Sequence, residues 1–519
     1  MTAPPRRPPN LLLITTDQQR WDTLSCCGQP GYRTPNLDRL AADGVRFDRA
    51  YAPSPVCTPA RVSILTGQYP TRTGAYQIGM EPVPCLAGPT LASRLAEAGY
   101  HTAIIGKTHF VARSIESEHV AGRPDAPPDS LLLDTAFWRQ FDGPYLGFQF
   151  VRHASGHTNC KPPNCHYRAW LEAQGLDLDD LHYAWRDGQF LPGDLKQGAW
   201  PIDEQHTQTA WITEQAIRYV ERQQATGRPW FCWASYQDPH PPFVCPEPYF
   251  SAVDMTGVDL GGFREGEFDD KPPFYKRFIE GRGWSDRDEL PFPDGDLNVP
   301  FLFTYDHVED PYPAIQAYLG MVNMLDAYVG RLLDALDRLG ARDNTLIVFT
   351  SDHGEMLGRH GLWQKGAVAF DDCQRIPAVA SWPAGQRRAV GVTRSMLNLV
   401  DVLPTFLDAA GVACPPLVQG VSQLPVIRGD VKAVRDWALV DFLVTSKLHQ
   451  QTFVCEGHKL VVYRHADYGE LYDLSDDPDQ YVNLFDRPEH RAVRDRLMHR
   501  LVQAHMTVAG TMPRRIHTA

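Results

Sequence analysis

The sequence predicts an α/β fold: a large, mostly parallel sheet sandwiched by helices, followed by a smaller α+β domain at the C-terminus. Two observations predict it. Short, continuous apolar runs alternate with stretches of three-and-four periodicity, the pattern of buried strands joined by covering helices. Beyond Gly411 the pattern changes to several short β-type runs and one closing helix.

The elements follow in order. Residues 11–16 (LLLITT) are a buried strand that ends at Asp17-Gln18. Thr34-Pro35-Asn36 opens a short helix that stops at Gly44. Pro59 suits the first turn of a helix that residues 60–66 can continue, which places Cys57 at the helix N-terminus. Residues 90–99 are a helix with Leu91, Leu95 and Ala98 on one face, and residues 101–106 a strand. Residues 206–223 are helical, and 230–236 are a strand. Residues 254–313 are rich in Pro, Gly, Asp and aromatics and have no period. They are either an ordered insertion near the site or a solvated surface loop. The clearest helix spans residues 314–339, where Ile315, Leu319, Val322, Leu325, Val329, Leu332, Leu336 and Leu339 recur at spacings of three and four, and Gly340 stops it. Residues 345–350 (TLIVFT) follow as a strand that leads into Ser351-Asp352-His353-Gly354. Strands at 437–444, 451–455 and 459–463 and a helix at 491–505 complete the chain. The division expected is a catalytic domain over residues 1–425 and an α+β domain over 426–519.

Composition narrows the function. The chain has 519 residues, with 43% hydrophobic and 22% charged, which is the balance of a globular protein. Its net charge of −13 argues against nucleic acid and against anionic membrane as partners. It does not exclude an anionic substrate, since a few local cations can dominate a small pocket. No stretch approaches a membrane span, and the apolar run after residue 10 is too short for a signal peptide. With eleven scattered cysteines lacking a disulfide rhythm, this points to a reducing, cytoplasmic location, though a mature exported form would look the same.

In open α/β sheets, ligands sit beyond the C-terminal ends of the strands, and Asp17, Lys107, His240 and Asp352 each lie just after a predicted strand. Cys57 at a helix N-terminus would sit where unpaired N–H groups favour an anion, with Arg61 one turn above it. Arg61 is four residues beyond the cysteine, which excludes the C-x5-R loop of cysteine phosphatases. Asp17, Gln18, Asp352 and His353 offer oxygen and imidazole donors suited to a divalent cation. Lys107, His109, His240 and Lys365 add cationic or titratable groups that suit an oxyanion ester. His157, Cys160, Cys165 and His166 could bind zinc, but their irregular spacing favours a loop with incidental thiols. GxGxxG after a strand, a Walker loop and GxSxG are absent.

Cys57-Thr58-Pro59-Ala60-Arg61 resembles the C-x-P-x-R motif of type I sulfatases, within the alkaline phosphatase superfamily. Asp17-Gln18, Thr34-Pro35-Asn36-Leu37-Asp38-Arg39-Leu40, Leu65-Thr66-Gly67, Gly106-Lys107-Thr108-His109, Pro239-His240-Pro241-Pro242, Ser351-Asp352-His353-Gly354-Glu355 and Lys365 are similar to further motifs of that family, in order. Residues 399–411, Glu470-Leu471-Tyr472-Asp473-Leu474, Asp477-Pro478 and Asn483-Leu484 extend the likeness over nearly the whole chain.

The resemblance implies an alkaline phosphatase-like fold and hydrolysis of sulfate esters. Cys57 would be oxidised to formylglycine by a separate formylglycine-generating enzyme. One hydroxyl of the hydrated aldehyde would attack sulfur, and the other would later expel sulfate and restore the aldehyde, a step that serine's single oxygen cannot perform. Asp17, Gln18, Asp352 and His353 would hold one divalent metal, calcium or manganese ahead of magnesium, with the modified Cys57 adding an oxygen. Arg61 would stabilise the diol, Lys107 and Lys365 would hold sulfate oxygens, His109 would orient the diol, and His240 would serve the leaving oxygen. Many sulfatases carry Asp-Asp and Asp-Asn where this chain has Asp17-Gln18 and Asp352-His353, variants that also resemble the phosphonate monoester hydrolase branch. Activity on phosphonate monoesters or phosphodiesters is therefore the alternative, and a non-catalytic sulfated-glycan binder is the alternative of another class. The substrate would be a small-molecule or saccharide sulfate ester, and the protein is expected to be a homo-oligomer, dimer or tetramer.

Overall fold

Eight strands form the central sheet of the computed structural model. It describes residues 7–78, 83–111, 131–155, 163–176, 197–276, 310–383, 391–443 and 448–509, with the backbone of 185–186 and 189–190. In chain order the strands are β1 (Asn10–Thr16), β2 (Val45–Phe47), β3 (His101–Gly106), β4 (Phe150–His153), β5 (Trp230–Ser235), β6 (Thr345–Ser351), β7 (Ala378–Ser381) and β8 (Gly391–Thr393). Their order across the sheet is β8-β2-β7-β6-β1-β5-β3-β4. β7 pairs antiparallel with both its neighbours, and the other pairs are parallel. The sheet is thus mostly parallel, as expected, with one reversed strand.

The helices that position the site are α1 (Pro35–Ala42), α2 (Cys57–Thr66), α3 (Leu91–Glu97), α4 (Cys165–Ala173), α5 (Gln208–Thr226) and α6 (Pro311–Arg338). Alternation along β1 explains how both faces of the sheet are covered. Leu11 and Leu13 enter one core with α2 and α3, while Leu12 and Ile14 enter the other with α5 and α6. The apolar stripe of α6 is buried from Ile315 to Leu336. The helix starts about one turn before the expected position, because Pro311 fits its first turn and the Asp310 side chain caps it by accepting from the Tyr312 N–H at 3.0 Å.

Past α7 (Leu424–Arg428), which crosses the expected boundary at 425, four strands form a separate antiparallel meander. They are β9 (Trp437–Leu443), β10 (His449–Cys455), β11 (His458–Tyr463) and β12 (Gly469–Asp473). The last of these is a strand the sequence pattern did not reveal. Leu497, Leu501, Ala504 and Val508 of α8 (Arg491–Val508) cover the meander through a shared apolar cluster. This is the smaller α+β C-terminal domain. It is tied to the large domain by Lys459, whose buried ammonium lies 2.5 Å from Asp371 and 2.7 Å from the Ala369 carbonyl.

The stretch expected as an insertion is ordered over residues 254–276. Phe268, Phe274 and Tyr275 are buried there against Phe370 and Tyr463. Residues 277–309 of that stretch lie outside the described residues, as do His157 and Cys160. Cys165 and His166 carry no sign of a zinc site. The His166 ring accepts from the His153 N–H at 2.9 Å and donates to the Phe141 carbonyl at 2.7 Å, so both nitrogens are engaged. The ten described cysteines are free thiols, and no described helix is long and apolar enough to cross a membrane.

Candidate active site

Four adjacent strands, β6-β1-β5-β3, deliver the predicted residues to one end of the sheet. Their parallel register aligns Thr16 with Ser351 and Gly106 with Ser235. The chain segments leaving them stay bound together: Asp352 N–H donates to Thr16 at 3.2 Å, Lys107 N–H to Ser235 at 2.9 Å, and Asp17 N–H to Asp238 at 3.4 Å. Asp17, Lys107, Asp352 and His353 are therefore held by backbone pairing rather than by loop flexibility. His240 follows β5 through a turn and is partly exposed at the site, as is His109.

Cys57 is the first residue of α2 and is fully buried. Its Sγ lies 3.1 Å from His353 Nε2, 3.3 Å from Lys365 Nζ and 3.5 Å from Asp17 Oδ1. Burial raises the thiol pKa above its ordinary value, Asp17 adds to this, and Lys107 and Lys365 oppose it. The thiolate is disfavoured, and the thiol is poorly suited to act as a nucleophile itself.

Asp17, Cys57, Asp352 and His353 offer donor atoms that all lie within 4.8 Å of one another. The donor set fits a divalent cation. Two carboxylates supply hard oxygens. His353 Nδ1 is hydrogen-bonded to the Gly354 carbonyl at 3.0 Å, which places the proton there and leaves the Nε2 lone pair facing the group. Burial and Lys365 lower the His353 pKa to about 4, which keeps the ring neutral and able to ligate. Gln18 completes the wall with its amide oxygen, 2.5 Å from Lys365 Nζ.

The cations are arranged around these carboxylates. Burial alone would raise the Asp17 pKa, but Lys107, His240, Lys365 and Arg61 hold it well below its ordinary value. Lys107 Nζ donates directly to Asp17 Oδ2. Arg61 is fully buried, and its Nε donates to Asp352 at 2.7 Å while Nη1 donates to Ser235 Oγ at 2.7 Å and to the Lys107 carbonyl at 3.1 Å. No hydrogen bond joins Arg61 to the Cys57 sulfur. The remaining Arg61 nitrogen, Nη2, lies 4.0 Å from Asp17 Oδ2. Arg61 thus locks the two carboxylates and the Lys107 backbone together. Burial with Lys107 and Arg61 lowers the His109 pKa, and burial with Lys365 and Lys107 lowers that of His240, both well below the ordinary histidine value.

Every residue expected at the site lies in this group. Two others were not assigned a role from the sequence. Ser235 accepts from Arg61 and donates to the Lys107 carbonyl at 2.6 Å. Glu355 is fully buried and accepts from the Gln18 amide and from the Leu357 N–H at 2.9 Å. Burial raises the Glu355 pKa, and these N–H donors and Lys365 oppose the rise. Ser235 was discoverable only through the register of β5 with β3, and Glu355 only from its place two residues after His353.

Comparison with known proteins shows the family. A family model described as "Sulfatase" matches residues 9–412, and one described as "N-sulphoglucosamine sulphohydrolase, C-terminal" matches residues 358–507. The chain is similar to the "Uncharacterized sulfatase YidJ" of Escherichia coli strain K12, with 29% identity over 94% of this chain and 85% of that protein. It is 28% identical to an arylsulfatase of Clostridium perfringens over 95% of this chain and 94% of the relative. Among solved structures, a phosphonate monoester hydrolase of Agrobacterium radiobacter shares the fold, with a TM-score of 0.75, 24% identity and coverage of 97% and 96% of the two chains.

Proposed function

Because the chain belongs to the sulfatase family, we propose that it hydrolyses sulfate esters to an alcohol and inorganic sulfate, with Cys57 matured to formylglycine. The observation that carries this reading is Cys57 itself, buried at a helix N-terminus within 3.5 Å of Asp17, His353 and Lys365. Formylglycine supplies what the suppressed thiol does not: a hydrated aldehyde with one hydroxyl for attack and a second for release. Asp17, Asp352, His353 and Gln18 would hold the metal, calcium or manganese by donor type. A bound divalent ion supplies Lewis-acid activation and positive charge for the anionic ester.

The chain's own residues do the rest. Lys107 and Lys365 hold the sulfate oxygens and neutralise charge that grows in the transition state. Arg61 keeps Asp17 and Asp352 in place. The attacking hydroxyl at position 57 passes its proton to the Asp17 carboxylate, whose Oδ1 lies 3.5 Å from that side chain. As its oxygen bonds to sulfur, the bond from sulfur to the alcohol oxygen breaks, and that oxygen takes a proton. His240 is the donor. Its Nδ1 is hydrogen-bonded to the Pro241 carbonyl at 2.7 Å, which fixes the orientation of the ring. Burial is the larger cause of the lowered His240 pKa, and Lys365 and Lys107 add to it; an ester anion bound between the lysines offsets their part and shifts the ring toward its protonated form. His109, neutral at pH 7, accepts the proton of the second hydroxyl as the carbon–oxygen bond to sulfate breaks and the aldehyde re-forms.

A second reading rests on Gln18. A neutral amide in place of a carboxylate leaves Arg61, Lys107 and Lys365 matched by Asp17, Asp352 and Glu355, so a bound divalent ion leaves net positive charge. A singly charged phosphonate monoester satisfies that electrostatics as a sulfate ester does. Steady-state kinetics on paired aryl sulfate and aryl phosphonate esters separates the two. The higher kcat/KM is expected for the sulfate. A phosphonate preferred by orders of magnitude would overturn the sulfatase reading.

A further inference from the structure

We propose that Glu355 is a positioning residue that sets which end of the Gln18 amide faces the cation site. The proposal rests on reading the Asp17, Asp352 and His353 group as a metal site. Gln18 is fixed at its backbone first. It has a φ of 65°, in the left-handed region that a residue with a side chain seldom adopts. Its N–H donates to Asp352 Oδ1 at 3.1 Å, and its carbonyl accepts from the Tyr318 hydroxyl at 3.0 Å. Among the described residues the side chain hydrogen-bonds two partners of opposite kind. Lys365 Nζ is donor-only and lies at Oε1, while the Glu355 carboxylate is acceptor-only and receives Nε2. One amide orientation satisfies both.

The second carboxylate oxygen of Glu355 is already committed to the Leu357 and Gln364 N–H groups of the loop that leads to Lys365. Glu355 therefore cannot turn to adjust, and the three side chains are buried. The result is an oxygen aimed toward Lys365, beside the residues that would hold the metal, with the amide NH2 turned toward Glu355. Such orienting partners usually govern metal affinity almost as strongly as the ligands themselves.

Glu355→Gln tests this without changing shape. The new side-chain oxygen would stay with the two loop N–H groups, and its NH2 would meet Gln18. Gln18 would then turn over and present NH2 to Lys365, so its oxygen would no longer be available to a metal. Adding Gln18→Glu restores an oxygen on both sides, so the double variant reverses the hydrogen bond and keeps the orientation. The probe is Mn2+ titrated calorimetrically into chelator-stripped protein, with thermal unfolding measured in parallel. E355Q should weaken Mn2+ binding by about 10–100-fold, and Q18E/E355Q should recover most of that loss. Q18E alone, which sets two carboxylates against each other, should bind less well than the double variant. Mn2+ affinity unchanged in E355Q, or a double variant no better than E355Q, would overturn the proposal. Should E355Q fail to fold, the comparison of Q18E with the double variant decides, and a double variant no better than Q18E overturns it. A parent chain that binds no Mn2+ overturns it as well. None of these outcomes depends on which ester is turned over, so failure of the sulfatase reading shows separately in the paired kinetics.

Discussion

A serine at position 57 fills nearly the same space as the cysteine and keeps one oxygen, which makes it the sharpest probe of what this side chain is for. C57S should fold with an unchanged unfolding midpoint, because neither the packing of α2 nor the carboxylate group depends on sulfur. Its steady-state turnover should fall by at least about 10³-fold, because a sulfate ester formed on the single serine oxygen has no second hydroxyl to expel it. At most one equivalent of alcohol should be released, read as a burst without steady-state turnover. Retention of cycling in C57S would show that a second oxygen on this carbon is unnecessary. At this scale the sequence was informative wherever chemistry dictated residue type. Asp17, Cys57, Arg61, Lys107, His109, His240, Asp352, His353 and Lys365 all reach one site. Arg61 reaches the carboxylates: it binds Asp352 and lies 4.0 Å from Asp17. Spacing along a helix shows which turn a guanidinium occupies, and the end of its long side chain goes where buried carboxylates need it.

The strand end is the element that turns these residues into a site, and Gly106 shows how tight that arrangement is. It has a φ of +105°, and a Cβ there would lie 1.9 Å from the Ser235 carbonyl oxygen. Gly106→Ala must push β3 away from β5 and carry Lys107 with it. A displacement near 1 Å is enough to cost about 10²-fold in rate, so kcat should drop by that order while the folded fraction, read by circular dichroism, stays high. Parent-like kcat in G106A would mean that Lys107 is not held by this pairing. Elements with long periodic patterns were legible: the stripe from Ile315 to Leu336 fixed α6, and the apolar run from Leu346 to Phe349 fixed β6. Short elements were not. The reversed strand β7 and the edge strand β8 have four and three residues. Their pairing is decided by the long connection from β6, which no local pattern encodes. β12 escaped for the same reason, since its partner β11 supplies the register.

At the scale of the whole molecule, burial of neutral histidines couples the fold to pH. His166, the second residue of α4, is buried against β4, and burial pushes its pKa down to about 3. The unfolded chain, with an ordinary histidine pKa near 6.5, takes up this proton between pH 6.5 and 3, whereas the folded chain does not. Stability contributed by the neutral ring is therefore complete above pH 6.5 and is lost as pH falls, by about 1.4 kcal/mol per unit. Between pH 7 and pH 5 the parent should lose about 2 kcal/mol more than H166Q in urea unfolding, and equal losses would contradict the assignment. The two-part organisation was visible in the shift of pattern beyond Gly411. The link between the parts was not, because Lys459 and Asp371 meet only once both domains have folded.

The central claim is that the working residue at position 57 is an aldehyde made from cysteine. The mass of the peptide spanning that position, taken from active protein produced in a host that makes formylglycine, tests it most directly. The account predicts the aldehyde or its hydrate, in proportion to specific activity across preparations. Full sulfate-ester turnover by protein whose Cys57 peptide still carries the thiol mass would contradict it.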